Sequence, residues 1–353
     1  MTADLDYPQG TSQPAPGTTL EVADGVRWVR MPLPFALDHV NLWLLRDDID
    51  GRAGWTIVDC GIHLPETLAA WEQVLATQLE GLPVLRVVAT HLHPDHIGNA
   101  AWLCERVNTA AHACRLWVSA GEFFCAHYIL QRSGPEGGER SAVFFAEHGL
   151  NDATLQANVR KRGNYYGSLV PRLPASFVRL LGGERLRIGG REWVCIEGQG
   201  HSPEHISLHC PQLGVMISGD MILPRISTNV SVTDLEPEGD PLSLYLQSIA
   251  RCRVLPADTL VLPSHGRPFR GMHARIDALR EHHDERLDLT LQACRQRPTS
   301  AADLLGVLFR RELDLHQTTF AIGEAVAHLH RLWAQGALRR ERDEAGVWRF
   351  RSL

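Results

Sequence analysis

The sequence has almost no lysine and no long apolar run. Lys161 is the one lysine among 35 basic residues, and 41 acidic residues leave a formal net charge of −6. That balance excludes the global basic field that recruits nucleic acid or acidic membrane surfaces. No stretch approaches the 18 or more apolar residues of a membrane span, so we expect no membrane segment.

Targeting and redox motifs are also lacking. The first 19 residues are rich in Pro, Gly and Thr and lack the charged and apolar regions of a secretory signal. None of the eight cysteines forms a C-x-x-C pair, and a chain of 353 residues needs no disulfides to hold a core. These features predict buried free thiols and a cytoplasmic location.

The length and the order of patterns predict two domains. Strand, loop and helix patterns alternate from residue 18, with a helix expected over 64–80, a buried strand over 84–89 and a helix over 98–107. This alternation favours an α/β sandwich. We expect a flexible N-terminus at 1–17, a first domain at 18–271 and a second at 272–353.

Residues 115–185 interrupt that alternation. They contain eight of the 15 Phe and Tyr residues of the chain, and nine basic residues against six acidic ones. We interpret this stretch as a helical insertion that acts as a lid or pocket wall. An interface in a homodimer, or simple additional core, fits the same composition equally well.

The last 82 residues read as three helices and a β-hairpin. Helices are expected over 272–294, 301–311 and 319–335, and the second follows Ser300, a good N-cap. Strands over 337–342 and 347–351 flank a turn at 343–346. This is the element order of a winged-helix module.

The strongest chemical signal is a histidine-rich loop that directly follows the buried strand. It reads Thr90-His91-Leu92-His93-Pro94-Asp95-His96. Imidazole and carboxylate groups are the ligands that suit borderline divalent metals. Three His and one Asp on one tight loop converge without help from distant elements, so we expect a metal site here.

Further His and Asp residues follow other predicted strands. Asp59, His201, Asp220 and His265 each come at or just after the end of an apolar strand pattern. Tips of several strands meet at one edge of a sandwich, so these residues are expected to join the loop of His91. His205 is expected to pack near this site.

With these motifs the chain resembles the metallo-β-lactamase-fold hydrolase superfamily. All seven expected ligands stand in the expected order, over roughly residues 18–270. The segments 217–223 and 263–266, followed by a helix and a winged helix, resemble the branch of β-lactamase-like 2 proteins, which includes an endoribonuclease and thioesterases of polyketide synthesis. The resemblance implies a four-layer αββα sandwich with a helical insertion and a C-terminal winged-helix domain.

The resemblance also implies two divalent metal ions, Zn²⁺ first, with Fe or Mn as alternatives. His91, His93 and His201 would hold one ion and Asp95, His96 and His265 the other, with Asp220 bridging both. Asp59 would orient a ligand or the water, and Asp95 would steer a metal-bridged hydroxide that attacks the substrate. A bridging Asp220 argues against a β-lactamase proper.

Three further residues are candidates for substrate binding. His63 follows Asp59 closely, while Arg225 and Asn229 come just after Asp220. An ordinary polar surface loop explains each of them equally well, so the sequence alone does not decide between the two interpretations.

Two substrate classes remain open for this hydrolase. The aromatic insertion favours a small-molecule thioester, lactone or related ester, and its surplus of Arg suits an anionic carrier such as coenzyme A. The winged helix favours an endoribonuclease or phosphodiesterase. Residues 272–353 hold 13 Arg and 12 acidic residues, however, which gives almost no field for phosphate. We therefore expect acyl hydrolysis, with a non-enzymatic scaffold as a distant third interpretation.

Overall fold

Two β-sheets packed face to face form the centre of the computed structural model, which describes residues 4–109, 112–309 and 312–353. Within these ranges the first sheet contains seven strands in chain order: β1 (Thr19–Ala23), β2 (Val26–Pro32), β3 (His39–Ile49), β4 (Arg52–Val58), β5 (Val84–Val88), β6 (Leu116–Val118) and β7 (Phe177–Arg179). The second contains β8 (Arg185–Ile188), β9 (Arg191–Gly198), β10 (His205–Cys210), β11 (Val215–Gly219) and β12 (Leu260–Pro263), in the order β12-β11-β10-β9-β8.

Helices cover the outer face of each sheet. In chain order the described helices are α1 (Pro65–Thr77), α2 (Pro94–Ile97), α3 (Ala100–Val107), α4 (Ala120–Arg132), α5 (Pro135–Glu147), α6 (Ala153–Lys161), α7 (Tyr165–Leu169), α8 (Pro241–Arg251), α9 (Met272–Gln296), α10 (Ala301–Leu308) and α11 (Leu315–Ala334), with 3-10 turns at Arg162–Asn164 and Cys252–Val254. Trp71 of α1 packs on the first sheet, and Tyr245 of α8 packs on the second. The predicted αββα sandwich is therefore confirmed.

The core between the sheets follows from the alternation of side chains along the strands. In β3, Leu42 and Leu44 face the helices over the first sheet, whereas Trp43 faces the second sheet. Trp43 stacks on Trp28 of β2 with ring centroids 6.3 Å apart, and both lie in the same core as Trp193 of β9. Strands that are apolar on both faces are thus buried on both faces.

The helical insertion lies between β6 and β7. Its helices α4 to α7 occupy residues 120–169, and the predicted range of 115–185 also takes in the two flanking strands, which pair in parallel within the first sheet. The insertion is therefore shorter than its aromatic composition indicated. The sheet continues on both sides of it.

The described part of the N-terminal segment contacts the body of the protein. Asp6 and Arg270 exchange backbone hydrogen bonds of 3.3 and 2.8 Å, and the Arg267 guanidinium lies 5.0 Å from the centre of the Tyr7 ring. Leu5 and Tyr7 pack against the core beneath the second sheet. Residues 1–3 of the predicted flexible segment lie outside the described residues.

The C-terminal region has the predicted order of three helices and a hairpin. Ser300 caps α10 in a reciprocal capping box with Asp303, as its position indicated, and Asp314 caps α11 in the same way with Gln317. The hairpin consists of β13 (Leu338–Arg342) and β14 (Trp348–Ser352). Residues 310 and 311 of the predicted second helix lie outside the described residues.

The cysteines and helices also agree with the sequence analysis. All eight cysteines are free, and seven of them are buried. Among the residues that the structure describes, no helix combines the length and the apolar character that crossing a bilayer requires.

Candidate metal centre

Several strand ends bring the predicted ligands to one edge of the sandwich. β4 runs parallel to β5, and β11 runs parallel to β12. The carboxyl ends of parallel neighbours lie side by side, so Asp59 after β4 lies near His91 after β5, and Asp220 after β11 lies near His265 after β12. β9 is antiparallel to β10, which is antiparallel to β11, so the end of β9 places His201 at the same edge.

His91, His93 and His201 form a compact triangle of ring nitrogens. The Nδ1 atom of His93 lies 3.0 Å from Nε2 of His91 and 3.0 Å from Nε2 of His201, and the two Nε2 atoms are 3.2 Å apart. A tetrahedral zinc ion with nitrogen ligands at about 2.0–2.1 Å requires nitrogens about 3.3 Å apart. The three side chains therefore have the spacing of ligands that share one ion.

A second group adjoins this triangle and contains two carboxylates. The Oδ2 atom of Asp95 lies 3.4 Å from Nε2 of His265 and 3.6 Å from Nε2 of His96. Oδ1 of Asp220 lies 3.4 and 3.5 Å from the same two nitrogens, while its Oδ2 lies 3.4 Å from Nε2 of His201. The two oxygens of Asp220 thus face two different groups of ligands.

Partners behind the imidazole rings fix their orientation. In four of the rings Nδ1 has a neighbour on the side away from the centre, which leaves Nε2 as the atom that faces the centre. These pairs are His91 with Thr90 Oγ1 at 3.0 Å, His96 with Asp59 Oδ2 at 2.8 Å, His201 with the Asn229 carbonyl at 2.7 Å and His265 with the His39 carbonyl at 2.8 Å.

Two buried atoms at the centre lack hydrogen-bond partners among the described residues. They are Nε2 of His96 and Oδ1 of Asp220. Leaving such atoms unpaired costs about 1–3 kcal/mol each, and a cation between them would remove that cost. Nitrogen and carboxylate donors without thiolates suit Zn, Fe or Mn. The residues therefore fit divalent metal ions.

The two groups of ligands differ in charge. Burial lowers the pKa of His93 to about 3 and lowers that of His91 well below its ordinary value, so both are neutral ligands at neutral pH. Burial opposes the charge of His96, but Asp95, Asp59 and Asp220 raise its pKa to about 9. The second group is therefore an ionic network, while His91 and His93 are neutral.

Glu122 is a site residue that the sequence analysis missed. It lies on α4 in the insertion, is fully buried, and accepts hydrogen bonds from Leu92 N at 2.8 Å, Ser202 Oγ at 2.6 Å and Glu204 N at 2.7 Å. Burial raises its pKa to about 6. Glu122 therefore joins the loop of His91 and His93 to the loop of His201. The sequence carries no local signal for this role, because its partners are mostly backbone groups.

The predicted substrate-binding residues occupy different surroundings. His63 is half-buried, and its Nδ1 lies 2.9 Å from Oδ1 of Asn99. Arg225 is exposed in the loop after β11. Asn229 lines the cavity beside the metal centre, and its carbonyl holds His201. Of the three, Asn229 is the residue that lines the cavity beside His93 and His201.

His205 and Gly219 pack behind the centre. The Nε2 atom of His205 accepts a hydrogen bond from Asp220 N at 3.3 Å, and its ring lies 4.9 Å from that of His91. Gly219 has a φ of +52°, and a Cβ atom there would lie 2.2 Å from Nε2 of His205. His205 therefore packs near the site, as expected, and it needs glycine opposite it.

A cavity of about 220 Å³ opens beside His93 and His201. Three separate parts of the chain form the walls of this cavity: α5 of the insertion, the segment 229–234, and α11 of the C-terminal region. The apolar wall contains three phenyl rings, and hydroxyl groups supply half of the polar residues. The lining is His93, Ser141, Phe144, Phe145, His201, Asn229, Ser231, Val232, Thr233, Asp234, Thr319 and Phe320.

Comparison with known families agrees with this fold and site. The model described as the metallo-beta-lactamase superfamily matches residues 36–265, and one described as a metallo-beta-lactamase-like, C-terminal domain matches residues 287–353. The chain therefore belongs to the metallo-beta-lactamase superfamily and is a metal-dependent hydrolase.

Particular relatives extend over nearly the whole chain. A crystal structure of a beta-lactamase domain protein from Burkholderia ambifaria is 53% identical, with a TM-score of 0.94 over 99% of this chain and 98% of that one. A metallo-beta-lactamase family protein from Thermus thermophilus is 27% identical, with a TM-score of 0.76 over 94% and 100%. The probable metallo-hydrolase YqjP of Bacillus subtilis is 27% identical over 88% of this chain and 92% of its own length.

Proposed function

We propose that this protein hydrolyses a thioester, lactone or related ester of a small molecule at a centre of two divalent metal ions. His91, His93 and His201 would hold the first ion, Asp95, His96 and His265 would hold the second, and Asp220 would serve both. Bound there, the ions supply Lewis-acid chemistry that polarises the scissile carbonyl and makes water more acidic. Water's oxygen joins the acyl carbon, the C–S or C–O bond breaks, and the leaving thiol or alcohol takes up a proton.

The two carboxylates proposed as catalytic play different parts. The side chain of Asp95 is 20% exposed, so it can meet a proton of water or substrate. The side chain of Asp59 is 1% exposed and accepts hydrogen bonds from Thr90 N, Thr90 Oγ1 and His96 Nδ1. Asp59 therefore acts through the orientation of His96, as a positioning residue.

The cavity beside the histidine triangle is the observation that carries this proposal. Phe144, Phe145 and Phe320 supply an apolar wall, and the polar wall includes serine and threonine hydroxyls, an amide and one carboxylate. The described lining contains no Arg or Lys. Such a cavity favours an uncharged acyl group with a few hydrogen-bonding positions over a phosphate backbone.

The packing of α11 argues against the nucleic-acid alternative. In helix-turn-helix proteins a recognition helix presents side chains to a groove. In this chain α11 is the third helix of the C-terminal region, and 12 of its 20 residues are buried. Its N-terminal turns also line the cavity through Thr319 and Phe320. A helix enclosed in this way has little surface to place against RNA.

A substrate panel tests the proposal. We expect the zinc-loaded protein to hydrolyse members of a panel of short-chain and aromatic thioesters and lactones, and to leave single-stranded RNA intact. The Asp220→Ala variant serves as the control for contaminating hydrolases, because it removes the bridging ligand. Robust RNA cleavage without ester turnover would overturn the proposal.

A further inference from the structure

Arg162 is held in place between the insertion and α11. It lies in the 3-10 turn between α6 and α7 and is half-buried. Its guanidinium carbon lies 4.3 Å from the centre of the Tyr165 ring, and its NH2 group donates to Nδ1 of His316 at 2.8 Å. Phe35 stacks on the other side of His316, with ring centroids 5.1 Å apart. Tyr165 and His316, from two separate segments, therefore contact this cation, and Phe35 packs on His316.

The charge of Arg162 has no acidic partner in the described part of the chain, where no carboxylate oxygen lies within 4 Å of it. Nearby arginines differ: Arg160 pairs with Glu139, and Arg132 pairs with Asp234 at 2.7 Å. His316 does not supply a negative charge, because a hydrogen-bond acceptor of this kind is a neutral imidazole. No carboxylate of the described residues thus neutralises this guanidinium, although His316 and the Tyr165 hydroxyl occupy part of it.

Two neighbours link Arg162 to the reaction centre. Burial raises the pKa of the Tyr165 phenol, and the carboxylate of Asp95 raises it further, so Tyr165 lies within electrostatic reach of that carboxylate. His316 contacts Phe320 with ring centroids 4.9 Å apart, and Phe320 lines the cavity. Arg162 therefore lies outside the lining of the apolar cavity and is joined to it through His316 and Phe320.

We propose that Arg162, held by Tyr165 and His316, binds an anionic group on the leaving portion of the substrate. This inference rests on the proposed function. The apolar cavity takes the acyl group, and the alcohol or thiol portion then points outward, toward the rim. A guanidinium binds phosphate, sulfate or carboxylate oxygens through two parallel hydrogen bonds. The substrate class is thus an ester or thioester whose leaving group carries a negative charge.

A matched pair of substrates tests this proposal. One acyl group is presented on coenzyme A, which is anionic, and on N-acetylcysteamine, which is neutral. For Arg162→Met we expect KM for the anionic thioester to rise at least tenfold, with kcat and the neutral thioester changed less than twofold. Lys161→Met is the matched control, since it removes the same charge from the preceding, exposed residue and should change neither substrate.

A binding measurement separates recognition from turnover. A thioether analogue of the anionic substrate cannot be hydrolysed, and calorimetry should show its Kd rising at least tenfold in Arg162→Met and recovering in part in Arg162→Lys. An equal effect on both thioesters, or none on either, would overturn the role of Arg162 while leaving ester hydrolysis standing. Failure of the wild-type protein to hydrolyse either thioester would instead count against the proposed function.

Discussion

Asp59 and His96 share a hydrogen bond of 2.8 Å between Oδ2 and Nδ1, and neither side chain is more than 1% exposed. The backbone of Asp59 has a φ of +65°, which is uncommon for a residue other than glycine. This conformation directs the carboxylate back at Thr90 and His96 together. The structure tolerates local strain here in exchange for a fixed metal-facing nitrogen on His96.

The first prediction concerns this pair. Asparagine at position 59 offers one acceptor oxygen where the carboxylate offers two, so either Thr90 N or the pair Thr90 Oγ1 and His96 Nδ1 loses its acceptor. We expect Asp59→Asn to weaken binding of one ion about 10- to 100-fold, as loss of a partner behind a ligand typically does. Metal titration measures this, and Asp258→Asn is the control because Asp258 is exposed. Unchanged affinity in Asp59→Asn would refute the positioning role.

Removal of the bridging carboxylate provides the second prediction. Asp220→Ala deletes both oxygens that face the two groups of ligands, and it leaves the ions to repel each other without an anion between them. We expect at least one metal ion per chain to be lost, measured by elemental analysis after dialysis. Asp234→Ala removes a carboxylate from the same cavity and should retain both ions. Retention of both ions in Asp220→Ala would contradict the bridging arrangement.

Glu122 leads to the third prediction. In Glu122→Gln the amide NH2 group faces either Leu92 N–H or the donors Ser202 and Glu204, so at least one donor loses its acceptor. We expect affinity at the histidine triangle to fall about 10-fold or more. Glu139→Gln, in the exposed part of the insertion, is the matched control. If Glu122→Gln binds metal as tightly as the wild type, the insertion does not support this site.

The same residue predicts a pH dependence of stability. Burial raises the pKa of Glu122 from 4.5 to about 6 in the folded protein. Its contribution to stability is therefore complete below pH 4.5 and is lost as the pH rises through about 6. The difference in free energy of unfolding between wild type and Glu122→Gln should change in this window, measured by urea denaturation at several pH values. A constant difference would show that Glu122 does not titrate there.

Gly219 provides a prediction about packing. A Cβ atom there would lie 2.2 Å from His205 Nε2, whereas one at Gly214 would have nothing within 4 Å; both residues have positive φ. Gly214→Ala should therefore cost only the backbone term of about 1 kcal/mol, and Gly219→Ala more than about 2 kcal/mol. Thermal denaturation measures both. Equal losses would show that His205 moves aside without cost.

The sequence was sufficient to predict the sandwich and the grouping of the His and Asp residues because their signals are local. His91 to His96 lie on one loop, and Asp59, His201, Asp220 and His265 each follow an apolar strand. Their positions at strand ends were therefore enough to predict that they meet at one edge of the sandwich. The ranges of strands and helices also followed from local periodicity and caps, as at Ser300. These signals depend on neighbours in the chain and need no knowledge of tertiary contacts.

The contacts that the sequence could not predict join distant segments. Glu122 bonds mainly to backbone groups of residues 30 and 82 positions away, and backbone groups leave no pattern in a sequence. Arg162 and His316 are 154 positions apart. The predicted insertion was longer than the observed one because β6 and β7 are only three residues each and lack a clear alternation.

The region matched by the C-terminal family begins at residue 287, in the middle of α9, which starts at Met272. One continuous core includes Tyr245 of α8, Ile276 of α9 and Phe350 of the final hairpin. The boundary drawn by sequence similarity thus cuts through a single cooperative unit. Calorimetry should show one melting transition for the whole chain, and a chimera joined at residue 287 would have to match both halves of that core.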